Sequence, residues 1–326
     1  MTPLTGNAEA QAAFFTAASG GSMPHTWLFT GPEGVGKATF AREAAAHVLA
    51  SAADPSIPLT METSLVGSAI AGQVRAGSHP DFRVLERLPK DPKKPEAGLA
   101  RSIKVDQIRE LQPMFATRPT YSNRRIVIID SIDDCERSAA NALLKNLEEP
   151  PAGTIFLLIS HAPGRLLPTI RSRCRVLRFE PLSDAEVAAI LREALPEAGA
   201  EEIDTLVLAG KGSPGRALAF AGLDLAAIER EIHAIARTGD PSNAIRARLG
   251  SALGAKASQS RYEAFLARVP SFIAEQSHAR QGEALRVALD AYADASALSD
   301  AAIRLSLDPN ATVFEMGGVI ARLAAD

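Results

Sequence analysis

The chain has 326 residues, 46% of them hydrophobic and 22% charged, with a formal net charge of −3. This length suits two or three domains, the composition is that of a folded globular protein, and the slightly acidic balance excludes a molecule whose whole surface grips nucleic acid. Two cysteines, 5% aromatics, and the lack of a signal-peptide pattern or long uncharged apolar run argue against a disulfide scaffold, a four-cysteine zinc site, a base-stacking platform and a membrane span, so a cytoplasmic protein is expected.

In chain order, Ala10, Ala13, Phe14 and Ala17 recur at helical spacing over residues 7–20, a helix ended by Gly20-Gly21. HTWLFT (25–30) reads as a buried strand, GPEGVGK (31–37) as a glycine loop, and 38 to about 53 as a helix, which together open a parallel α/β unit. Residues 51–64 read as a loop, 65–76 as a short helix, DFRVLERL (81–88) as a strand and 88–102 as an exposed Pro/Lys-rich loop. Asp106 is placed to cap a helix over QIRELQPMFA, which Pro113 bends or ends. RRIVIIDSID (124–133) contains the clearest strand, apolar on both faces as a central parallel strand requires. A helix follows from Ser138 to Glu149, stopped by Pro150-Pro151. TIFLLIS (154–160), a short helical or turn segment PTIRSRC (168–174) and RVLRFEPL (175–182) complete a doubly wound sheet of four or five strands.

Beyond Pro181 the strand pattern stops. SDAEVAAILREAL starts with a serine cap and an acidic first turn, GKGSPGRAL precedes or opens another helix, and four or five helices without a chemical motif follow from about Asp224. The expected organisation is an α/β core over 1–180, a small helical lid over 181–223 and an all-α C-terminal domain over 224–326.

GPEGVGKAT is the main chemical clue. Gly31, Gly34, Gly36 and Lys37 fit a phosphate-binding loop: the glycines let backbone amides face phosphate oxygens, the lysine adds a point charge, and the next helix offers its positive end. The following residue is Ala38, which has no hydroxyl for Mg²⁺, and Thr39 is turned about 100° away on the helix. Asp130 closes the second clear strand, where a metal-coordinating acid belongs, but Ser131 stands where a water-polarising glutamate would follow. Asp133 and Asp134 read as solvated, helix-capping acids, and Ser160 as a strand-end hydroxyl at a position suited to sensing a γ-phosphate. The loop is that of a nucleotide site lacking two parts needed for hydrolysis.

NALLKNLEEPP (141–151), FLLIS (156–160) and IRSRC (170–174), in that order, resemble the bacterial clamp-loader subunits. RAGSHPDFRVLE (75–86), IKVDQIREL (103–111) and GSPGRAL (212–218) are similar to the delta-prime subunits of DNA polymerase III. The resemblance runs from residue 24 to about 220; the rest matches only in being helical. It implies an AAA+ fold and a largely rigid, non-hydrolysing stator. Its implied partners are motor subunits and a delta subunit in a hetero-pentamer that loads a sliding clamp on primer-template DNA. It also implies that Arg173 reaches in trans into a neighbour's ATP site, positioned by Ser172 and Cys174, and that Arg216 occupies a lid-arginine position. No cofactor is required; ATP or ADP binding at Gly31, Gly34, Gly36, Lys37, Asp130 and Arg216 stays open.

Many such relatives carry a four-cysteine zinc module before the SHPDF segment. This chain has no cysteine there and His79 alone makes no site, so no metal is expected and the fold of residues 55–78 stays open. Lys90, Lys93, Lys94, Arg101 and Lys104 form a basic stretch that reads as a solvated flexible loop, with DNA contact the alternative. Arg124 and Arg125 read as edge residues before the central strand. The competing functions are an active AAA+ ATPase, which Ala38 and Ser131 oppose, and an adaptor that binds ATP without cleaving it.

Overall fold

The computed structural model describes residues 5–20, 23–94, 98–223, 225–255 and 258–324. The chain divides into two compact units, one formed by Met1–Glu193 with Lys211–Gly215, the other by Ala194–Gly210 with Arg216–Asp326.

The first unit is built on five parallel strands: β1 (Thr26–Thr30), β2 (Phe82–Glu86), β3 (Arg125–Asp130), β4 (Thr154–Ser160) and β5 (Arg175–Arg178), in the order β2-β3-β4-β1-β5. Apolar content tracks position in the sheet. β1 and β4 are buried along their whole lengths and β3 along all but its last residue, whereas the edge strands β2 and β5 expose part of theirs. Alternation then sorts the core. Trp27 and Phe29 face Phe14 of α1 (Ala8–Ser19) and Phe40 of α2 (Lys37–Ala53), with Phe14–Trp27 and Phe29–Phe40 ring centroids 4.9 and 5.4 Å apart. Leu28, Val127, Ile129 and Leu158 belong to the opposite core, with Ile108, Leu143, Leu147 and Ile170.

Residues 54–68 are turns tied by short polar side chains: Asp54 accepts from the Ser56 hydroxyl, and Thr63 donates to the Pro58 carbonyl. Ser68 caps α3 (Ala69–Arg75), whose Ala71 and Val74 are buried and whose Arg75 makes a two-pronged bond to Glu43 of α2. In the SHPDF segment, buried Asp81 accepts from the amides of Thr120 and Tyr121 and so pins the loop before β3.

Three expectations change. Asp106 lies within the first turn of α4 (Val105–Arg109), whose N-cap is Lys104; Gln107 returns a hydrogen bond to the Lys104 amide, and Asp106 pairs with Arg109. Pro113 sits at the start of a separate short helix, α5 (Gln112–Phe115), where its missing amide proton costs nothing. Arg125 is no edge residue: it is buried, and its guanidinium donates to the Thr117 carbonyl at 2.7 Å. Across the base of the basic excursion, Lys90 and Ala100 donate backbone hydrogen bonds to the Gly98 and Leu88 carbonyls.

Helix α6 (Arg137–Glu148) leads into β4, and α7 (Pro168–Arg171) into β5. Ser183 and Glu186 form reciprocal caps at the start of α8 (Asp184–Ala194), as the serine and acidic first turn predict.

All the regular structure of the second unit's described residues is helical. It contains α9 (Ala200–Gly210), most of α10 (Pro214–Ala219), α11 (Leu225–Thr238), α12 (Ala244–Leu253), α13 (Gln259–Ser277), α14 (Gly282–Leu305) and α15 (Pro309–Ala321). Ile232, Ile235, Phe265, Val269, Phe272 and Met316 are fully buried there, and Arg268 of α13 is clamped by Glu229 and Glu275.

Candidate functional site: the glycine loop and the arginine turn

The loop between β1 and α2 sits beyond the carboxyl ends of β1, β3 and β4. The chain path reverses there: β1 lies between β4 and β5, which is where open parallel sheets place ligands. Gly31, Gly34 and Gly36 have φ of 140°, 78° and 104°, conformations that side chains resist. A Cβ on Gly31 would stand 2.1 Å from the Phe179 carbonyl oxygen. Phe40 makes the first helical bond of α2, back to Gly36, which leaves the preceding amides without intrahelical acceptors.

Lys37 is 2% exposed, and its ammonium donates to the loop's own carbonyls, Gly31 at 2.6 Å and Pro32 at 2.5 Å. Burial pushes its pKa down to about 8, against the pull of Asp130, Glu33 and Asp133. Asp130 ends β3, and burial raises its pKa, opposed by His161 and Arg42. The structure therefore brings Gly31, Gly34, Gly36, Lys37 and Asp130 together. It places Ala38 at the expected hydroxyl position and leaves Thr39 exposed.

The acids after β3 are not the solvated caps expected. Asp133 accepts from the Ser160 hydroxyl at 2.9 Å and from the amides of His161 and Ala162 at 2.6 and 3.3 Å, tying the end of β4 to the turn after β3. Asp134 accepts from the Ser131 hydroxyl at 3.1 Å and pairs with Arg87. The Ser131 and Ser160 hydroxyls are thus both committed to neighbouring carboxylates. His161 was not anticipated. Burial first, and Lys37 second, hold its imidazole below the usual histidine range, and its Nδ1 is buried without a hydrogen-bond partner among the described residues. Its only sequence signal is its place directly after a buried strand.

GSPGRAL contributes differently from the expectation. The Gly215 amide donates to the Gly34 carbonyl at 2.9 Å, and a Cβ on Gly215 would stand 3.0 Å from the Gly34 α-carbon, so this glycine packs on the phosphate-type loop. Arg216 falls in the second unit, where its guanidinium donates to the Ala267 carbonyl at 3.1 Å and lies over the Phe220 ring.

Arg173 follows α7 on the turn into β5. Its Nη1 donates to the Thr169 carbonyl at 2.7 Å, its Nη2 pairs with Glu148 Oε1 at 2.6 Å, and its side chain is 33% exposed. Ser172 also donates to Thr169, and its hydroxyl lies 3.4 Å from Arg173 Nη1. The Cys174 thiol donates to the Ile170 carbonyl, and burial raises its pKa to about 12, which fits a packing residue.

The glycine cradle and buried lysine fit a phosphate group. Ala38 offers no hydroxyl to a metal ion, and the Ser131 and Ser160 hydroxyls donate to Asp134 and Asp133.

A glycine loop after the interior strand β1 of a five-stranded parallel sheet, an acid closing β3 on the far side of β4 and a following set of helices define an α/β protein of the AAA+ class. The chain belongs to the clamp-loader family described as "DNA polymerase III, delta subunit", whose family model matches residues 6–183. It is 38% identical over 192 residues to DNA polymerase III subunit delta' of Pseudomonas aeruginosa, covering 58% of this chain and 53% of that protein. It is 35% identical over 162 residues to the Bacillus subtilis subunit delta', covering 49% and 43%. The chain thus spans about half the length of the curated relatives it matches. Among solved structures, a DNA polymerase III gamma subunit-related protein from Thermotoga maritima aligns with 97% of this chain and 99% of its own, at 14% identity and a TM-score of 0.43. Among the described residues no helix is long and apolar enough to cross a membrane.

Proposed function

We propose that this protein is a delta-prime-like stator of a cytoplasmic clamp loader, which hydrolyses no ATP itself and supplies Arg173 to the ATP site of a neighbouring motor subunit. The carrying observation is the contrast between its two halves of chemistry. The glycine loop lacks the Mg²⁺ hydroxyl and the general base, while Arg173 stands on a surface turn with two nitrogens anchored and a third of its side chain open to solvent. A planar, permanently charged fork suits the charge that builds on a γ-phosphate, and such arginines accelerate phosphoryl transfer by roughly 10³–10⁵ in the best cases. The partners in this reading are motor subunits and a delta subunit in a hetero-pentamer, acting on a sliding clamp and primer-template DNA. Nucleotide at the glycine loop is a separate matter: a phosphate would have to take Lys37 from two short carbonyl bonds. Calorimetry with ATP and Mg²⁺ reports on that directly.

The test is reconstitution with the cognate motor and delta subunits. The isolated chain should turn over ATP more slowly than about 0.1 s⁻¹, below ordinary enzyme rates. Arg173→Ala should assemble normally and lower the ATPase of the complex, with Lys37→Ala far milder. An unchanged rate with Arg173→Ala, or vigorous hydrolysis by the chain alone, rejects the reading.

A further inference from the structure

We infer that Glu148 is a positioning residue for Arg173, holding the guanidinium in the orientation that the trans role requires; the inference rests on that role. Glu148 is the last residue of α6, where the helix dipole disfavours an acid. Its carboxylate oxygen lies 2.6 Å from Arg173 Nη2. The other terminal nitrogen, Nη1, donates to the Thr169 carbonyl in α7 at 2.7 Å. Two anchors on two different elements fix both the position and the plane of the guanidinium. A guanidinium carries five N–H groups, so donors remain for an outside acceptor. Both partners are substantially exposed, 33% and 48% for their side chains, so the pair sits at the surface where such an acceptor could approach.

An unanchored arginine samples many rotamers, and only a fraction would present the fork toward a neighbour. An anchored one is set before the neighbour arrives, which is how fixed geometry raises the rate of a step rather than the affinity for its substrate. The opposite role, a latch that competes with phosphate for Arg173, makes the opposite prediction: its removal should speed the reaction. The adjacent Glu149 is exposed and has no bond to Arg173, which makes it the natural control.

In the reconstituted complex, Glu148→Ala is expected to lower kcat for ATP about three- to tenfold at unchanged KM. Glu148→Gln, which keeps an acceptor oxygen, should stay within about twofold of wild type, and Glu149→Ala should match it. Adding Glu148→Ala to Arg173→Ala should cause no further loss, since the carboxylate then has nothing to position. If Arg173→Ala slows the complex while Glu148→Ala is equal to or faster than wild type, the inference fails and the trans role stands. If Arg173→Ala has no effect, both fail. Failure of both Glu148 variants to assemble would make the residue structural and overturn the inference.

Discussion

Glu148 and Arg173 join the ends of two segments 25 positions apart in sequence: the carboxylate that closes α6 meets the guanidinium that follows α7 at 2.6 Å. The pair is half-exposed, and exposed ion pairs contribute roughly 0–1 kcal/mol to stability. Glu148→Ala should therefore shift the unfolding free energy of the isolated chain by no more than about 1 kcal/mol. Urea denaturation followed by circular dichroism checks this. A loss above about 2 kcal/mol would mean that the pair holds the fold, leaving less reason to assign it a positioning task.

Lys37 makes a prediction with the opposite sign from most charged groups. Burial lowers its pKa from 10.5 to about 8. Between those values the unfolded chain holds more protons than the folded one, so stability rises with pH across that window. Below pH 8 both states are protonated and the folded state carries the full desolvation cost. Lys37→Met should therefore be more stable than wild type at pH 7, by on the order of 1–3 kcal/mol, and the gap should narrow toward pH 10.5. Denaturant titrations at pH 7 and 10 measure it. A methionine variant weaker than wild type at pH 7 would show that the bonds to Gly31 and Pro32 outweigh the burial cost.

Much of this was legible in the sequence, for identifiable reasons. The interior strands β1, β3 and β4 announce themselves as largely apolar runs, whereas the edge strands β2 (FRVLE) and β5 (RVLR) carry charged residues and are partly exposed. The glycine loop was legible because positive φ demands glycine at 31, 34 and 36. What was not legible is pairing across distance. Nothing in the run of residues says that Asp133 will accept from three groups at the end of β4, that Gly215 will pack on Gly34, or that Glu148 will find Arg173. Each depends on how elements far apart in sequence pack together, which a single chain does not spell out. Asp106 shows the local version of the same limit: an aspartate near a helix start suggests a cap, but the cap lies two residues earlier at Lys104, whose amide donates to the Gln107 side chain one residue past Asp106.

The two cysteines should be nearly inert in the folded protein. Burial raises the pKa of both Cys135 and Cys174 to about 12, with Asp134 and Asp133 adding to the effect at Cys135. At pH 8 that leaves about one thiol in ten thousand as the reactive thiolate, against roughly a quarter for an ordinary cysteine. A thiol-reactive dye should label the native chain far more slowly than the urea-unfolded chain, where both cysteines react. Rapid labelling of either native thiol would contradict this packing role.

Asp240, in the second unit, concentrates a stabilising charge in a buried place. It is 2% exposed, and its carboxylate accepts from the amides of Ile245 and Arg246 at 3.1 and 3.0 Å, with the Arg246 guanidinium at 3.4 Å. Burial alone would raise its pKa, but the amides of Arg246 and Ile245 and the arginine charge together hold it below the ordinary 3.8. A depressed carboxylate contributes stability that is fully present above the unfolded pKa and is lost as pH falls through the folded one. Asp240→Ala should cost about 2–4 kcal/mol at pH 7, because two amides at the start of α12 lose their acceptor and Arg246 loses its counter-ion. Asp240→Asn keeps one acceptor oxygen and should cost less. The advantage of wild type over the asparagine variant should stay constant from pH 7 to about 5, then shrink below the ordinary carboxylate value as the wild-type side chain takes up its proton. Thermal denaturation of both proteins across that range would reveal it. An advantage that persists undiminished well below pH 3 would mean that shape, not charge, makes the contribution.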